Sequence, residues 1–104
     1  MSKIELADGT SFDGELGYTG PTIGLYLDKD IAIQHIADLM DSSKLDPITL
    51  YHGCYKNIYH GFNRFSHMEQ RADDNQIIIW IAGENTHAEF QIPTVPVEYL
   101  PKEQ

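Results

Sequence analysis

The chain has 104 residues, with 16 Asp plus Glu against 7 Lys plus Arg and a formal charge of −9 at pH 7. Surface scaling gives one domain of this length about 6,000 Å² folded against about 17,000 Å² unfolded, enough burial for a true core but not for a large substrate cleft within it. At 41% hydrophobic and 22% charged the composition excludes a disordered acidic tail, and the negative balance disfavours direct nucleic-acid binding, because few cations are present to release phosphate counterions.

The first strand carries Ile4 and Leu6 in alternation. A three-residue loop, Ala7-Asp8-Gly9, pairs Leu6 with Thr10 and Ile4 with Phe12 and so buries one clean face, whereas a two-residue Asp8-Gly9 turn mixes apolar and polar partners. Strand two is expected over residues 10–16, and Gly17, Gly20 and Pro21 lead to a third strand over 22–27. A helix over 29–41 follows, with Asp28 as its expected N-cap, accepting first-turn amides through its carboxylate. Ile33, Ile36, Ala37 and Met40 then form its apolar stripe. Asp46-Pro47 ends this region.

The second half reads as β structure. A strand over 48–52 and a turn over 53–56 precede a long strand over 57–70, bulged at Gly61. A tight connection over 72–75 leads into a strand over 76–82, whose alternating faces Ile77-Ile79-Ile81 and Ile78-Trp80-Ala82 predict cover on both sides and a place at the centre of the sheet. Residues 88–92 add an edge strand. The expectation is a single α+β domain over 1–92, ordered β-β-β-α-β-β-β, with a mostly antiparallel sheet of five to six strands and one amphipathic helix. An extended tail with three prolines occupies 93–104.

The charge is unevenly placed. Residues 1–47 hold nine acids and three bases, residues 48–75 three of each, and residues 76–104 four acids and one base. Asp13 and Glu15, or Asp28 and Asp30 if extended, would project from one side of a strand about 6.6 Å apart. Successive phosphates of a duplex strand are separated by about 6–7 Å, so such rows can imitate a phosphate backbone and occupy a basic protein surface. A solvated acidic surface that maintains solubility is the plainer reading. Asp38 and Asp41 on the helix join these four carboxylates as candidate partner-binding residues. The neutral middle segment adds Tyr55 and Tyr59, which serve either as interface anchors or as core.

His52, Cys54, His60 and His67 gather zinc-capable side chains, but the spacing lacks a paired ligand motif. Cys54 beside His52 has the elements of a nucleophile and base without an orienting third group. No catalytic residue, metal site or cofactor is therefore assigned. The N-terminus meets Glu5 and Asp8-Gly9 instead of an apolar signal core, and the longest apolar run, over 77–82, is far below the roughly 20 residues of a membrane span. With a single cysteine, a cytoplasmic protein is expected.

The segments Ile4-Glu5-Leu6-Ala7-Asp8-Gly9-Thr10, Ile48-Thr49-Leu50-Tyr51, Ile58-Tyr59-His60-Gly61-Phe62 and Gln76-Ile77-Ile78-Ile79, with the helix between the first two, resemble small uncharacterised proteins of phages and integrated mobile elements. The likeness spans residues 3–83 and implies a mobile-element origin without a defined activity. By size and charge alone, the chain is similar to anti-CRISPR inhibitors, some of which mimic DNA. From the concentration of acids in residues 1–47, the expectation is a non-enzymatic protein that inhibits a host nucleic-acid-binding defence effector, its partner being a protein with a basic surface, with a virion or tail-assembly accessory as the alternative.

Overall fold

The Ala7-Asp8-Gly9 loop forms as its residues require. Gly9 takes φ +92°, the Leu6 amide donates to the Thr10 carbonyl at 2.8 Å, and Ile4 faces Phe12 across the hairpin. The computed structural model describes residues 2–71 and 75–94. Its strands are β1 (Ser2–Glu5), β2 (Ser11–Asp13), β3 (Glu15–Tyr18), β4 (Thr22–Asp28), β5 (Ile48–His52), β6 (Tyr55–Arg71) and β7 (Gln76–Pro93), with one helix, α1 (Lys29–Leu39), and a short 3-10 turn at Ser42–Lys44. The strands form one antiparallel sheet in the order β2-β1-β5-β6-β7-β4-β3. The fold is α+β, with seven strands instead of five to six.

The extra strand arises at Gly14. β2 and β3 are the two outermost strands, yet a single residue joins them, so the sheet must roll until its edges become one continuous segment. Before Gly14 that segment pairs with β1, and after it with β4. A Cβ at Gly14 would sit 2.5 Å from Leu27 Cδ2 and 3.0 Å from Ile4 Cδ1, so β1 and β4 converge beneath this corner.

The opposite side of the roll is the β6–β7 hairpin. At about 3.3 Å per residue a straight strand of 18 residues would span roughly 59 Å, but the molecule's longest extent is 42 Å, so the hairpin bends. It bends where glycine allows. Gly61 takes φ +87° with register shifts on either side, and a Cβ on Gly83 would overlap the Gly61 carbonyl. The expected bulge at Gly61 is present. The separate edge strand over 88–92 is instead the far half of β7, and β7 lies inside the sheet between β6 and β4.

One core fills the roll. Ile23, Leu25 and Leu27 of β4 face Ile81, Ile79 and Ile77 of β7 across the ladder, and Ile4, Phe12, Ile48, Leu50 and Phe62 close around them. Each fully buried aliphatic side chain contributes about 1.5–3 kcal/mol of transfer free energy. On the outer face Ile78 is buried and Trp80 lies over Gly24, but Trp80 and Ala82 are only half-buried, so the cover predicted on both sides is complete on the inner face and partial on the outer.

The helix differs from its expected face. Ala32 and Leu39 enter the core, Ile31 and Ile36 pack against it, and the His35 ring stacks on Phe12 at 4.6 Å. Ile33 and Met40 are each 59% exposed. Two stripes at helical spacing overlap in this segment, and the small Ala32 lets its side approach the sheet closely. The expected carboxylate cap at Asp28 does not form. The chain enters α1 directly from β4, and the Lys29 amide instead donates to the Asn75 carbonyl at 3.1 Å. Residues 72–74, part of the expected tight connection, and most of the proline-containing tail lie outside the described residues.

Gly14→Ala should cost about 1–3 kcal/mol, since the buried Leu27 and Ile4 side chains must shift to admit a methyl group. For a domain of this size that lowers Tm by roughly 4–8 °C per kcal/mol, measurable by calorimetry. Gly83→Ala should cost more, because its clash is with backbone, and a melting temperature equal to wild type for either variant would refute these close approaches.

Candidate functional site

The corner at Gly14 also organises the acidic residues. Asp13 ends β2 and Glu15 begins β3, so the partner switch sets one carboxylate on each side of the turn. Asp28, the last residue of β4, comes up beside them because β3 and β4 are neighbours. These three carboxylates, with Ser2, Tyr26 and Gln76, line a depression of about 230 Å³. Among the described residues none of the three forms an ion pair, although Lys3 lies opposite Asp13 in register. Asp28 is free for this role because it does not cap the helix.

Ser2 and Glu15 are shared with a second, larger cleft of about 390 Å³, into which His52 of β5, Tyr55 and Asn57 of β6 and Gln91 of β7 also look. Ser2 is only 2% exposed, and its Oγ shares a hydrogen bond with His52 Nδ1 at 2.7 Å. Asn57 fastens the opposite wall, its Oδ1 accepting the Gln91 amide at 2.8 Å and its Nδ2 donating to the Tyr59 hydroxyl at 3.3 Å. Gln91 is held at φ +54°, a left-handed conformation that costs a non-glycine residue on the order of 1 kcal/mol or more.

The remaining candidate acids are elsewhere and are engaged in structure. Asp38 accepts the Lys44 ammonium at 2.8 Å and lies 3.5 Å from His35 Nδ1. The Lys44 hydrogen bond, assisted by His35, holds its carboxyl below the ordinary 3.8. Asp41 caps the 3-10 turn, accepting the Ser43 amide at 3.0 Å and hydroxyl at 2.7 Å, and these bonds lower its pKa also. Asp30 lies in the first turn of α1, where a negative charge complements the helix dipole. The extended spacing considered for Asp28 and Asp30 does not occur, since the helix begins between them.

The aromatic candidates divide. Tyr55 is 44% exposed at the rim of the larger cleft, whereas Tyr59 is 2% exposed. Burial raises the Tyr59 phenol's pKa, and its assignment as a surface anchor is corrected to core. Tyr18 and Phe90, both exposed, cover it with ring centroids at 5.7 and 6.1 Å.

The histidines do not assemble into one centre. His52 bonds Ser2, while His60 stacks on His87 at 4.5 Å and meets Glu89 at 2.6 Å. His67 stacks on Trp80. Cys54 is exposed in the β5–β6 turn, where its carbonyl accepts the Thr94 amide. Among the described residues no three His, Cys, Asp or Glu side chains converge to hold a metal ion, and no helix is long and apolar enough to cross a membrane.

Sequence reasoning missed Ser2, Asn57 and Gln91. Ser2 had a signal, since period-two alternation puts it on the face of Ile4 and Leu6. The other two depend on the β6–β7 register. Comparison with known proteins finds no family model that matches the chain, no curated protein similar in sequence and no solved structure similar in fold.

Asp38→Asn should lower the urea midpoint at pH 7. Because the folded carboxyl titrates below its unfolded value, its stabilisation is present above the unfolded pKa and lost as pH falls through the folded one. The gap between variant and wild type should therefore close below 3.8. A gap that persists unchanged in acid would show that the Asp38–Lys44 pair is not its source.

Proposed function

We propose that the chain is a non-enzymatic binding protein that inhibits a host nucleic-acid-binding defence effector, in the manner of an anti-CRISPR protein, by occupying the effector's basic surface. The observation that carries this reading is the set of three carboxylates, Asp13, Glu15 and Asp28, lining one depression without an ion-pair partner among the described residues. Asp13 and Glu15 lie on different strands and not on one side of a single strand, and with Asp28 they concentrate in one depression the sign of charge that a phosphate backbone carries. They steer a basic partner into encounter and lose strength with salt. The net charge of −9 adds a long-range attraction toward the same class of partner. Such a protein acts in the cytoplasm of the host cell.

A second reading, a virion or tail-assembly accessory, draws on a different surface. Tyr18 and Phe90 stack edge to face at 5.6 Å and are both exposed. Rigid, amphipathic rings of this kind anchor protein interfaces.

The test is cleavage of target DNA by a panel of purified CRISPR nucleases, with and without the chain. One nuclease should lose DNA binding, and the inhibition should weaken as salt rises from about 50 to 200 mM. Asp13→Lys combined with Asp28→Lys should lower inhibition at least about tenfold, on the scale of a like-charge juxtaposition costing more than a kcal/mol. Asp30→Asn, away from the depression, should change it little. Inhibition by the double variant at wild-type strength would remove the depression from the interface, and copurification with virion components without any nuclease inhibited would support the assembly role instead.

A further inference from the structure

The larger cleft holds polar groups that the fold leaves unused. The Glu15 carboxylate, the Tyr55 hydroxyl, the Gln91 side-chain amide and His52 Nε2 have no hydrogen-bond partner among the described residues, and all four residues line the same 390 Å³. That volume falls within the range of about 300–1,000 Å³ typical of sites that enclose a small organic group. Glu15, His52, Tyr55 and Gln91 are all exposed, and two parts of the wall are held, the His52 ring and the Gln91 backbone. Ser2, buried at the start of β1, holds the imidazole through Nδ1, and Asn57 pins Gln91 in its left-handed conformation while bonding Tyr59 in the core. Backbone strain retained at a cleft wall and anchored to the core is a mark of a preorganised site.

The chemistry of the occupant follows from the lining. An anion is excluded by Glu15 and by the adjoining Asp13 and Asp28. A wholly apolar group would seal a carboxylate and an imidazole away from water without partners, at a cost of a few kcal/mol. An ammonium is a strongly hydrated point charge and makes little use of the Tyr55 ring. A guanidinium meets each feature. Its planar fork pairs with a carboxylate, its weak hydration permits partial burial, and its face stacks on an aromatic ring. We propose that this cleft receives an arginine side chain of the basic protein partner, with Glu15 pairing the guanidinium, Tyr55 stacking on it and Gln91 accepting a further N–H. The proposal rests on the reading of a basic partner above and identifies where that partner is anchored, at the end of the groove that the three carboxylates begin. Buried arginines in such pockets carry a disproportionate share of interface energy.

The experiment is an NMR titration of the ¹⁵N-labelled full chain with acetyl-arginine amide, run in parallel with acetyl-lysine amide and with acetyl-citrulline amide, which keeps the shape and lacks the charge. The arginine probe should produce saturable shifts confined to the amides around Ser2, Glu15, His52, Tyr55 and Gln91. Citrulline amide should produce none, and lysine amide should bind several-fold more weakly. Glu15→Gln should weaken the arginine probe roughly three- to tenfold, while Glu84→Gln, at an exposed position of β7 outside the cleft lining, should leave it unchanged. Equal, non-saturating shifts from the arginine and lysine probes, scattered over the acidic surface, would overturn the proposal, as would a Glu15→Gln variant that titrates like wild type. Effector inhibition together with a flat arginine titration would discard the cleft and keep the acidic-groove reading. Saturable arginine binding with no effector inhibited would do the reverse.

Discussion

The close approach at Gly14 is the constraint on which the rest of the molecule depends. A sheet of seven strands has two edges, and here a single residue turns both into one segment. Any side chain there would have to displace the ends of Leu27 and Ile4. If the corner opened, β2 and β3 would become ordinary exposed edges, and the core that β1 and β4 share beneath the turn would lose its lid. Closure at Gly14 gives both outer strands a paired neighbour without length or mass, which suits a chain too short for a second layer of helices. Edges remain along the distal half of β6 and along residues 83–93 of β7, each paired on one side only, and on β6 register shifts near Arg64 and His67 and the charges of Arg64 and Glu69 interrupt the edge. Those features discourage a further strand from adding there.

The same corner sorts the acidic residues into two populations. Asp8, Asp38 and Asp41 are consumed locally, on the Thr10 amide, the Lys44 ammonium and the Ser43 amide and hydroxyl. Exposed contacts of this kind are screened by solvent and secure loop geometry more than stability. Among the described residues, Asp13, Glu15 and Asp28 form no ion pair. Their charges are left facing solvent at the seam where the sheet closes. The buried contacts under Gly14 set where these three side chains start. A charge cluster held by a rigid frame is available to a partner without further ordering of the backbone, so association does not spend backbone conformational entropy on it.

What could be read from the sequence was what local chemistry determines. The first hairpin register followed from Gly9 and the alternation of Ile4 and Leu6. The bounds of β5 and the bulge at Gly61 followed from turn residues and alternation around them. The helix was visible, but its buried face was not, because Ile33, Ala37 and Met40 make as regular a stripe as Ala32, Ile36 and Leu39. The choice belongs to the sheet surface beneath. Gly14 was visible only as a glycine within a strand. That it marks a change of pairing partner depends on β1 and β4, which are distant in sequence. The candidate site divides in the same way. Asp13, Glu15 and Asp28 could be named from charge and spacing, whereas the cleft formed by Ser2, His52, Asn57 and Gln91 exists only because β1, β5, β6 and β7 end at one place.

That convergence links the two depressions mechanically. Ser2 and Glu15 belong to both, and each sits one step from an element of the closure: Ser2 accepts the Gly14 amide through its carbonyl at 3.2 Å, and Glu15 follows Gly14 directly. On the proposed reading, a side chain in the larger cleft and charges on the smaller depression would both act on the short segment around Gly14, so the two contacts would share one frame of a few residues and one could form without rearranging the other.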